Sequence, residues 1–532
     1  MADLQKPSRG LTRREAMKGS VMAAVISGAQ NASGRQGGQT DRRPNILLVM
    51  CDQMRADCVG ADGNEAIRTP NLDGLAAEGA RFRRAYSSLP SCTPARATLL
   101  TGWGPWRHGM LGYGRVAGTY ANEMPQMIRD AGYYGIGIGK MHWYPQRSLH
   151  GFHKTLVDES GRVETEGFVS DYRQWFKQVA AGLDPDATGI GWNDYRSRPY
   201  ALDEKLHPTR WTADRAVEFL EGYGKAREQA DPSTGSGQVK PFFLKVSFAR
   251  PHSPYDPPER FFDLYAGADI PKAVVGDWAD RNAMRGQTLP FTTPRGDLGP
   301  DQVRASRQGY YGAISFLDEQ IGRVFDAVKR RGWWDRTLVL FTADHGDMQG
   351  DHHLWRKTYA YEGSARVPML IRWPDRLVKA KRGQVLSQPV ELRDVLPTFL
   401  DAAGATVDEA RFDGRSMLDL VRGKTRGWRE AIDLEHCTCY WPANQWCALT
   451  DGHMKYIYGA ADGSEQLFDL AADPGERTDL APVPARAAAL GAWRKRLADH
   501  LAERGEQWVK DGRLMRRPKQ MLYGPNYPDR KR

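Results

Sequence analysis

Short continuous apolar runs alternate with longer stretches in which apolar residues recur every three or four positions. Asn45-Ile46-Leu47-Leu48-Val49-Met50 shows no polar alternation and predicts a central parallel strand buried on both faces. Phe242 to Phe248, Thr337 to Phe341 and Pro368 to Arg372 read as further strands, and Gly132 to Gly139 as a thin, glycine-rich one. Tyr310 to Arg331 places Ile314, Leu317, Ile321, Val324, Phe325 and Val328 on one helical face and stops at Gly332. Thr69 is the expected cap of a shorter helix opened by Pro70 and stopped by Gly79. Residues 151 to about 235 show no clear period and predict surface insertions, with Asp231 to Gly237 a loop. Strands alternating with helices predict an α/β fold, a doubly wound and mostly parallel sheet flanked by helices. Ligand sites in such sheets lie beyond the carboxyl ends of strands, and Asp52, Lys140, His252 and Asp344 each fall there. After about residue 400 the texture changes to short strands with turns.

Composition narrows the class. The 532 residues suffice for more than one domain, and 41% apolar with 26% charged residues is the balance of a soluble globular protein. No run of ~20 apolar residues reads as a membrane span. Net charge is +10, and residues 1–43 hold eight basic and three acidic side chains, about half of the excess. The remainder suits anionic substrates, and no nucleic-acid motif accompanies it. Thr12-Arg13-Arg14-Glu15-Ala16-Met17-Lys18 resembles a twin-arginine export signal. A short apolar stretch from Val21 follows, with Ala29 or Ala32 before a cleavage point, which implies a periplasmic or secreted location. The alternative is a disordered basic tail. The six cysteines, Cys51, Cys58, Cys92, Cys437, Cys439 and Cys447, form no CxxC pair, which argues against structural zinc. Cys437 and Cys439 are open to disulfide formation in an oxidising compartment, with no pairing fixed.

The chemistry centres on Ser91-Cys92-Thr93-Pro94-Ala95-Arg96-Ala97-Thr98-Leu99-Leu100-Thr101-Gly102. Pro94 fits a first helical turn and Gly102 a helix end, so Cys92 falls at a helix N-terminus, where negative charge is favoured. Arg96, one turn on, points back to the same spot. A capped helix with a small buried cysteine is the plain alternative. Cys-x-Pro-x-Arg followed by Leu-Thr-Gly resembles the signature of type I, formylglycine-dependent sulfatases, arylsulfatase-like members of the alkaline phosphatase superfamily. The likeness runs from about Pro44 to about Ala481. It implies that a formylglycine-generating enzyme oxidises Cys92 to an aldehyde whose hydrate is the nucleophile. It also implies a smaller C-terminal antiparallel α+β subdomain, with Ala485 to Arg504 its helix and a basic tail after it. The expected segments are 1–43 for export, 44–400 for the catalytic α/β domain and 401–532 for the C-terminal subdomain.

Asp52, Gln53, Asp344 and His345 supply mostly oxygen ligands, which suits Ca²⁺ or Mg²⁺. A Cys92 thiolate beside them would be a poor ligand, and an aldehyde hydrate removes the mismatch. The resemblance favours Ca²⁺ and carries roles over by position. Arg96 would hold the hydrate and Lys140 a sulfate oxygen. His142 would accept the hydrate's proton, His252 would act as general acid, and Lys357 would span sulfate and nucleophile. One hydrate oxygen would attack sulfur, the alcohol would leave, and the other hydroxyl would collapse to the aldehyde and expel sulfate. The expected substrate is a sulfate ester, of a carbohydrate or of an aryl alcohol. Asp351 and Trp355 match the family but read as structural, and His352 and His353 as loop residues. Glu435, His436, Arg107 and His108 are further pocket candidates.

One position departs from the commonest pattern. Many arylsulfatases place two adjacent aspartates after the first strand, where this chain has Asp52-Gln53. Gln53 with His345 is similar to choline sulfatases and phosphonate monoester hydrolases, whereas Lys140 and His142 follow the arylsulfatases. The competing readings are a phosphonate monoester hydrolase or phosphodiesterase, a choline-sulfatase-like enzyme, and a glycan-binding relative whose Cys92 stays unmodified.

Overall fold

In the computed structural model of the chain, which describes residues 43–159, 165–229, 240–406, 408–437 and 439–531, the first apolar run is strand β1, Asn45–Asp52. The export-like segment and the Asp231–Gly237 loop lie outside the described residues. Helix α1 (Pro70–Ala77) and strand β2 (Ala80–Phe82) follow, then α2 (Cys92–Thr101), β3 (Tyr134–Gly139) and β4 (Lys154–Val157). Next come α3 (Asp171–Val179), α4 (Pro208–Gln229), β5 (Phe242–Pro251), α5 (Pro300–Arg330), β6 (Thr337–Ala343), β7 (Met369–Arg372) and β8 (Gln384–Leu386).

These eight strands form one sheet in the order β4-β3-β5-β1-β6-β7-β2-β8. Every neighbouring pair is parallel except those of β7, which runs against β6 and β2. All eight residues of β1 are buried, as an unalternating run requires. Leu47 sits between Leu244 of β5 and Val339 of β6 at 0% exposure. Leu47→Ala is therefore expected to cost about 2–5 kcal/mol, read as a fall in urea midpoint at unchanged m-value.

Three expectations about helices are corrected. The long helix begins at Pro300, ten residues before Tyr310, because its first turns are polar and largely solvent-facing. The residues named for its inner face, from Ile314 to Val328, are all buried. The stretch read as surface insertions contains β4, α3 and the 22-residue α4. Helix α4 hid from the periodicity because its buried face is built partly from Ala213 and Ala216, beside Leu220 and Tyr223. Thr69 stands at the N-cap of α1, but its hydroxyl does not cap the helix: it accepts the Gly60 N–H at 2.8 Å and donates to Asp73. The helix ends at Ala77 with Glu78 as its C-cap, and Gly79 follows at the expected stop.

The remaining chain forms an antiparallel sheet, β9 (Ile432–His436), β10 (Trp446–Thr450), β11 (Met454–Gly459) and β12 (Glu465–Asp469). Helix α6 (Ala487–Leu501) covers it through Trp493, Leu497 and Leu501. The C-terminal arm then returns to the loop after α2. The Leu111 N–H donates to Leu522 O at 2.8 Å, the Gly524 N–H to Gly109 O at 2.7 Å, and Tyr527 Oη to Arg115 O at 2.8 Å. No helix of the described residues is long and apolar enough to cross a membrane.

Candidate active site

The sheet ladder itself gathers the site. Strand β1 lies between β5 and β6, with β3 beyond β5, so residues leaving these strands emerge side by side. The His252 N–H donates to Asp52 O at 3.1 Å, the Asp344 N–H to Cys51 O at 3.3 Å, and the Lys140 N–H to Ser247 O at 2.7 Å. Gly139, at φ +93°, makes the last of these possible, because a Cβ there would lie 2.0 Å from Ser247 O. Helix α2 aims at the same point. Cys92 is its first residue, Ser91 its N-cap, and Gly102 closes it in the left-handed region. All ten residues of α2 are buried, and Cys92 and Arg96 share a face.

Around Cys92 Sγ lie Lys357 Nζ at 3.1 Å, His345 Nε2 at 3.2 Å and Asp52 Oδ1 at 3.5 Å. Lys140 pairs with Asp52 Oδ2, and Arg96 binds Asp344 Oδ2 at 2.9 Å. Arg96 also donates to Lys140 O and Ser247 Oγ, so it braces the carboxylates that surround Cys92. His345 Nδ1 is 2.8 Å from Gly346 O, which turns Nε2 toward the centre. His252 Nδ1 is likewise 2.8 Å from Ser253 O, and its ring meets the partly exposed Trp192 edge to face at 4.5 Å. Gln53 directs its amide oxygen to Lys357 Nζ at 2.9 Å. His142 stands on the turn after Lys140, with Nε2 3.4 Å from Tyr113 Oη.

One ligand atom from each of Asp52, Cys92, Asp344 and His345 lies within 4.8 Å of the others, all four buried. Burial raises the Asp52 carboxyl, but Lys140 first, then His252, Lys357 and His345, hold it well below the usual carboxylate range. Burial and Asp52 likewise push the Cys92 thiol up, yet Lys357, Lys140 and His345 outweigh them and bring it down to about 6. Burial lowers His345, and Asp344 and Cys92 more than offset it, so its pKa is raised. The centre therefore favours an anion at position 92 and presents cations around it.

The structure brings Asp52, Gln53, Cys92, Arg96, Lys140, His252, Asp344, His345 and Lys357 together, with His142 on the rim. It does not bring in four other candidates. Glu435 forms a buried bidentate pair with Arg504, and Arg107 pairs with Asp413. His108 bonds Thr98 Oγ1 and the Met110 N–H. His436 bonds Ser91 Oγ at 2.8 Å and bears on the site only through that serine. Asp351 pairs with Arg55 and Arg307, and Trp355 stacks on Tyr195, as structural residues do. His352 accepts the Gly276 N–H, and His353 lies 3.8 Å from Asp297. All six cysteines are free thiols, and Cys437 Sγ accepts the Met521 N–H at 2.9 Å.

Sequence reasoning missed three supports. Glu159 Oε1 accepts the N–H groups of Met141 and His142, latching the Lys140 turn. Asp347 holds the Gln53 amide at 2.6 Å. Trp192 comes from the stretch read as insertion, and Lys140 Nζ lies 5.7 Å from its ring centre. Only Asp347 had a signal, an acid three residues beyond Asp344 in a buried turn.

A family profile named Sulfatase matches residues 44–405, and one described as N-sulphoglucosamine sulphohydrolase, C-terminal, matches residues 350–503. An arylsulfatase of Clostridium perfringens is 38% identical over 486 residues, covering 89% of this chain and 98% of the relative. A choline-sulfatase of Rhizobium meliloti is 35% identical over 466 residues, 84% of each chain. Among solved structures, a phosphonate monoester hydrolase of Agrobacterium radiobacter superposes with TM-score 0.71 at 25% identity, over 87% of this chain and 96% of that one.

Proposed function

Because the chain belongs to the sulfatase family of the alkaline phosphatase superfamily and is a sulfuric ester hydrolase, we propose that it cleaves sulfate esters of ring alcohols, aryl or saccharide, using formylglycine at position 92 and Ca²⁺ held by Asp52, Gln53, Asp344 and His345. The observation that carries this reading is the convergence of Cys92 with Lys357, His345 and Asp52 at the carboxyl ends of adjacent strands. The donor set fits a hard cation. Lys140 and Arg96 occupy Oδ2 of Asp52 and Asp344, which leaves each Oδ1 turned to His345 Nε2, at 3.5 and 3.6 Å. Sulfur is the one soft donor there, and an oxygen at position 92 would match the rest.

When present, formylglycine hydrate supplies an oxygen nucleophile and a second hydroxyl that later expels sulfate, and Ca²⁺ lowers the hydroxyl pKa. Lys140 and Lys357 offer ammonium groups to the sulfuryl oxygens, stabilising charge as it redistributes. His252, fixed through Nδ1 on Ser253 O, keeps Nε2 for the proton that the departing oxygen needs. His142, backed by the Glu159 latch, receives the proton released at position 92. Arg96 keeps both carboxylates aligned, with Nη2 2.9 Å from Asp344 Oδ2 and 3.6 Å from Asp52 Oδ2. Trp192 beside His252 offers an apolar face on the leaving-group side, and the likeness to an arylsulfatase supports a ring there.

Chelation is expected to abolish turnover and lower the Tm. Ca²⁺ at about 100 times its Kd should restore about 2.7 kcal/mol of stability together with activity, with Mg²⁺ less effective. Full activity after chelation would remove the metal from the reaction. The second reading rests on Gln53, and on the likeness to a choline-sulfatase and a phosphonate monoester hydrolase. Rates on nitrophenyl sulfate, sulfated monosaccharides, choline sulfate and phenyl phosphonate under one condition separate them. The Arg13-Arg14 segment supports export to the periplasm or beyond, which cell fractionation tests. A formylglycine-generating enzyme is the partner this reading requires.

A further inference from the structure

Gln53 is held more tightly than its place at the end of β1 requires. Its backbone lies in the left-handed region at φ 69°. Its N–H donates to Asp344 Oδ1 at 3.1 Å and its carbonyl accepts Tyr310 Oη at 2.7 Å. The side-chain amide is then anchored at both ends. Nε2 donates to Asp347 Oδ2 at 2.6 Å, and Oε1 accepts from Lys357 Nζ at 2.9 Å. Asp347 is fully buried, and every partner around its carboxylate is a donor. Tyr255 Oη at 2.8 Å and Gln349 Nε2 at 3.0 Å reach Oδ2, and the N–H groups of Gln349 and Arg356, both at 3.0 Å, reach Oδ1.

With donors on every side the Asp347 carboxylate is placed as an acceptor, so the –NH₂ end of Gln53 is the end that faces it. We propose that Asp347 is a positioning residue that sets the polarity of the Gln53 amide, so that an oxygen and not an –NH₂ group is presented beside Lys357 and Cys92. This rests on the metal reading above only for what the oxygen serves; the orientation itself stands on the hydrogen bonds. A consequence concerns which residues can occupy the two positions together. With Asp347 present, a carboxylate at position 53 would set acceptor against acceptor at hydrogen-bond distance, with no proton donor between them. Gln53 and Asp347 are therefore a matched pair, and replacing Gln53 by an acid is not a simple adjustment of charge.

A double-mutant cycle tests this on the full chain, with two readouts: the Tm rise that Ca²⁺ produces in chelated protein, and kcat/KM on nitrophenyl sulfate. Gln53→Glu, which places an acid against Asp347, and Asp347→Asn, which lets the amide turn over, should each lose about 10–100-fold in kcat/KM and blunt the Tm rise. The combined variant restores a donor facing an acceptor. Its loss should fall short of the product of the single losses by more than about fivefold. A purely structural role for Asp347 would leave its other donors short in the double variant as well, and would give no such recovery. Tyr255→Phe removes a different donor from the same carboxylate and should leave the Ca²⁺ response unchanged. Losses that simply multiply would overturn the proposal. So would full activity of Gln53→Glu, a variant that decides the matter even if Asp347→Asn does not fold. A wild-type protein without any Ca²⁺-induced Tm rise would remove the metal reading, while the kinetic cycle would still decide the amide's orientation.

Discussion

Cys92→Ala is expected to lower turnover of nitrophenyl sulfate by roughly 10⁴-fold or more, the scale on which removing a covalent nucleophile acts in other hydrolases. The fold should survive, because alanine is a good helix former at the first position of α2 and the deleted atom is a single sulfur. What disappears is the group that Lys357 and His345 approach at 3.1 and 3.2 Å. Cys92→Ser separates the two chemistries available there. A native thiolate would leave a weak hydroxyl nucleophile in its place, whereas the formylglycine reading predicts a variant as dead as Cys92→Ala. Protein made with a formylglycine-generating enzyme should also react with hydrazide probes at residue 92, and a peptide mass should show one oxygen in place of the sulfur and two hydrogens fewer. Full activity with an intact thiol would sink the mechanism.

His252→Ala should lose about 10²–10⁴-fold on a sulfated sugar while keeping most of the rate on nitrophenyl sulfate. A nitrophenolate leaves unprotonated, but a sugar alkoxide, with a far higher pKa, does not. The geometry supports donation from Nε2, since Nδ1 is committed to Ser253 O at 2.8 Å and Trp192 packs against the ring at 4.5 Å. Lys357→Ala provides the contrast. It removes charge that stabilises the sulfuryl group itself, so both substrates should slow by similar factors. An equal loss on both substrates in the His252 variant would make that residue a sulfate binder and send the search for the acid elsewhere.

The site was legible wherever it depended on chain order near strand ends. Asp52, Lys140, His252 and Asp344 are consecutive with buried apolar runs, and a wound sheet brings such positions together whatever lies between them. Cys92 was legible because proline and glycine punctuate α2. The partnerships of Gln53 were not legible, because a hydrogen bond between residues hundreds of positions apart leaves no periodic trace. Gln53 and Asp347 are 294 residues apart in sequence, and Gln53 and Lys357 are 304 apart. Glu435 and His436 show the opposite error. Both were named as pocket candidates, but Arg504 and Ser91 already hold them. Helix α4 escaped because alanine packs without adding much to a hydrophobic pattern.

The C-terminal arm has a consequence for how the protein is made. The loop from Gly109 to Arg115 follows α2 almost directly and carries Tyr113 to the rim beside His142. Its hydrogen-bond partners, Leu522, Tyr523, Gly524 and Tyr527, lie far later in the chain, 408 residues from Arg115 to Tyr523 and 412 to Tyr527. Until they emerge that loop lacks these partners, and the Ser91 hydroxyl lacks its own until His436 emerges. Cys92, which has no solvent exposure once folded, is not enclosed before His345 and Lys357, 253 and 265 residues later, have emerged. Any enzyme that rewrites its side chain has the time until those neighbours close around it as its working window.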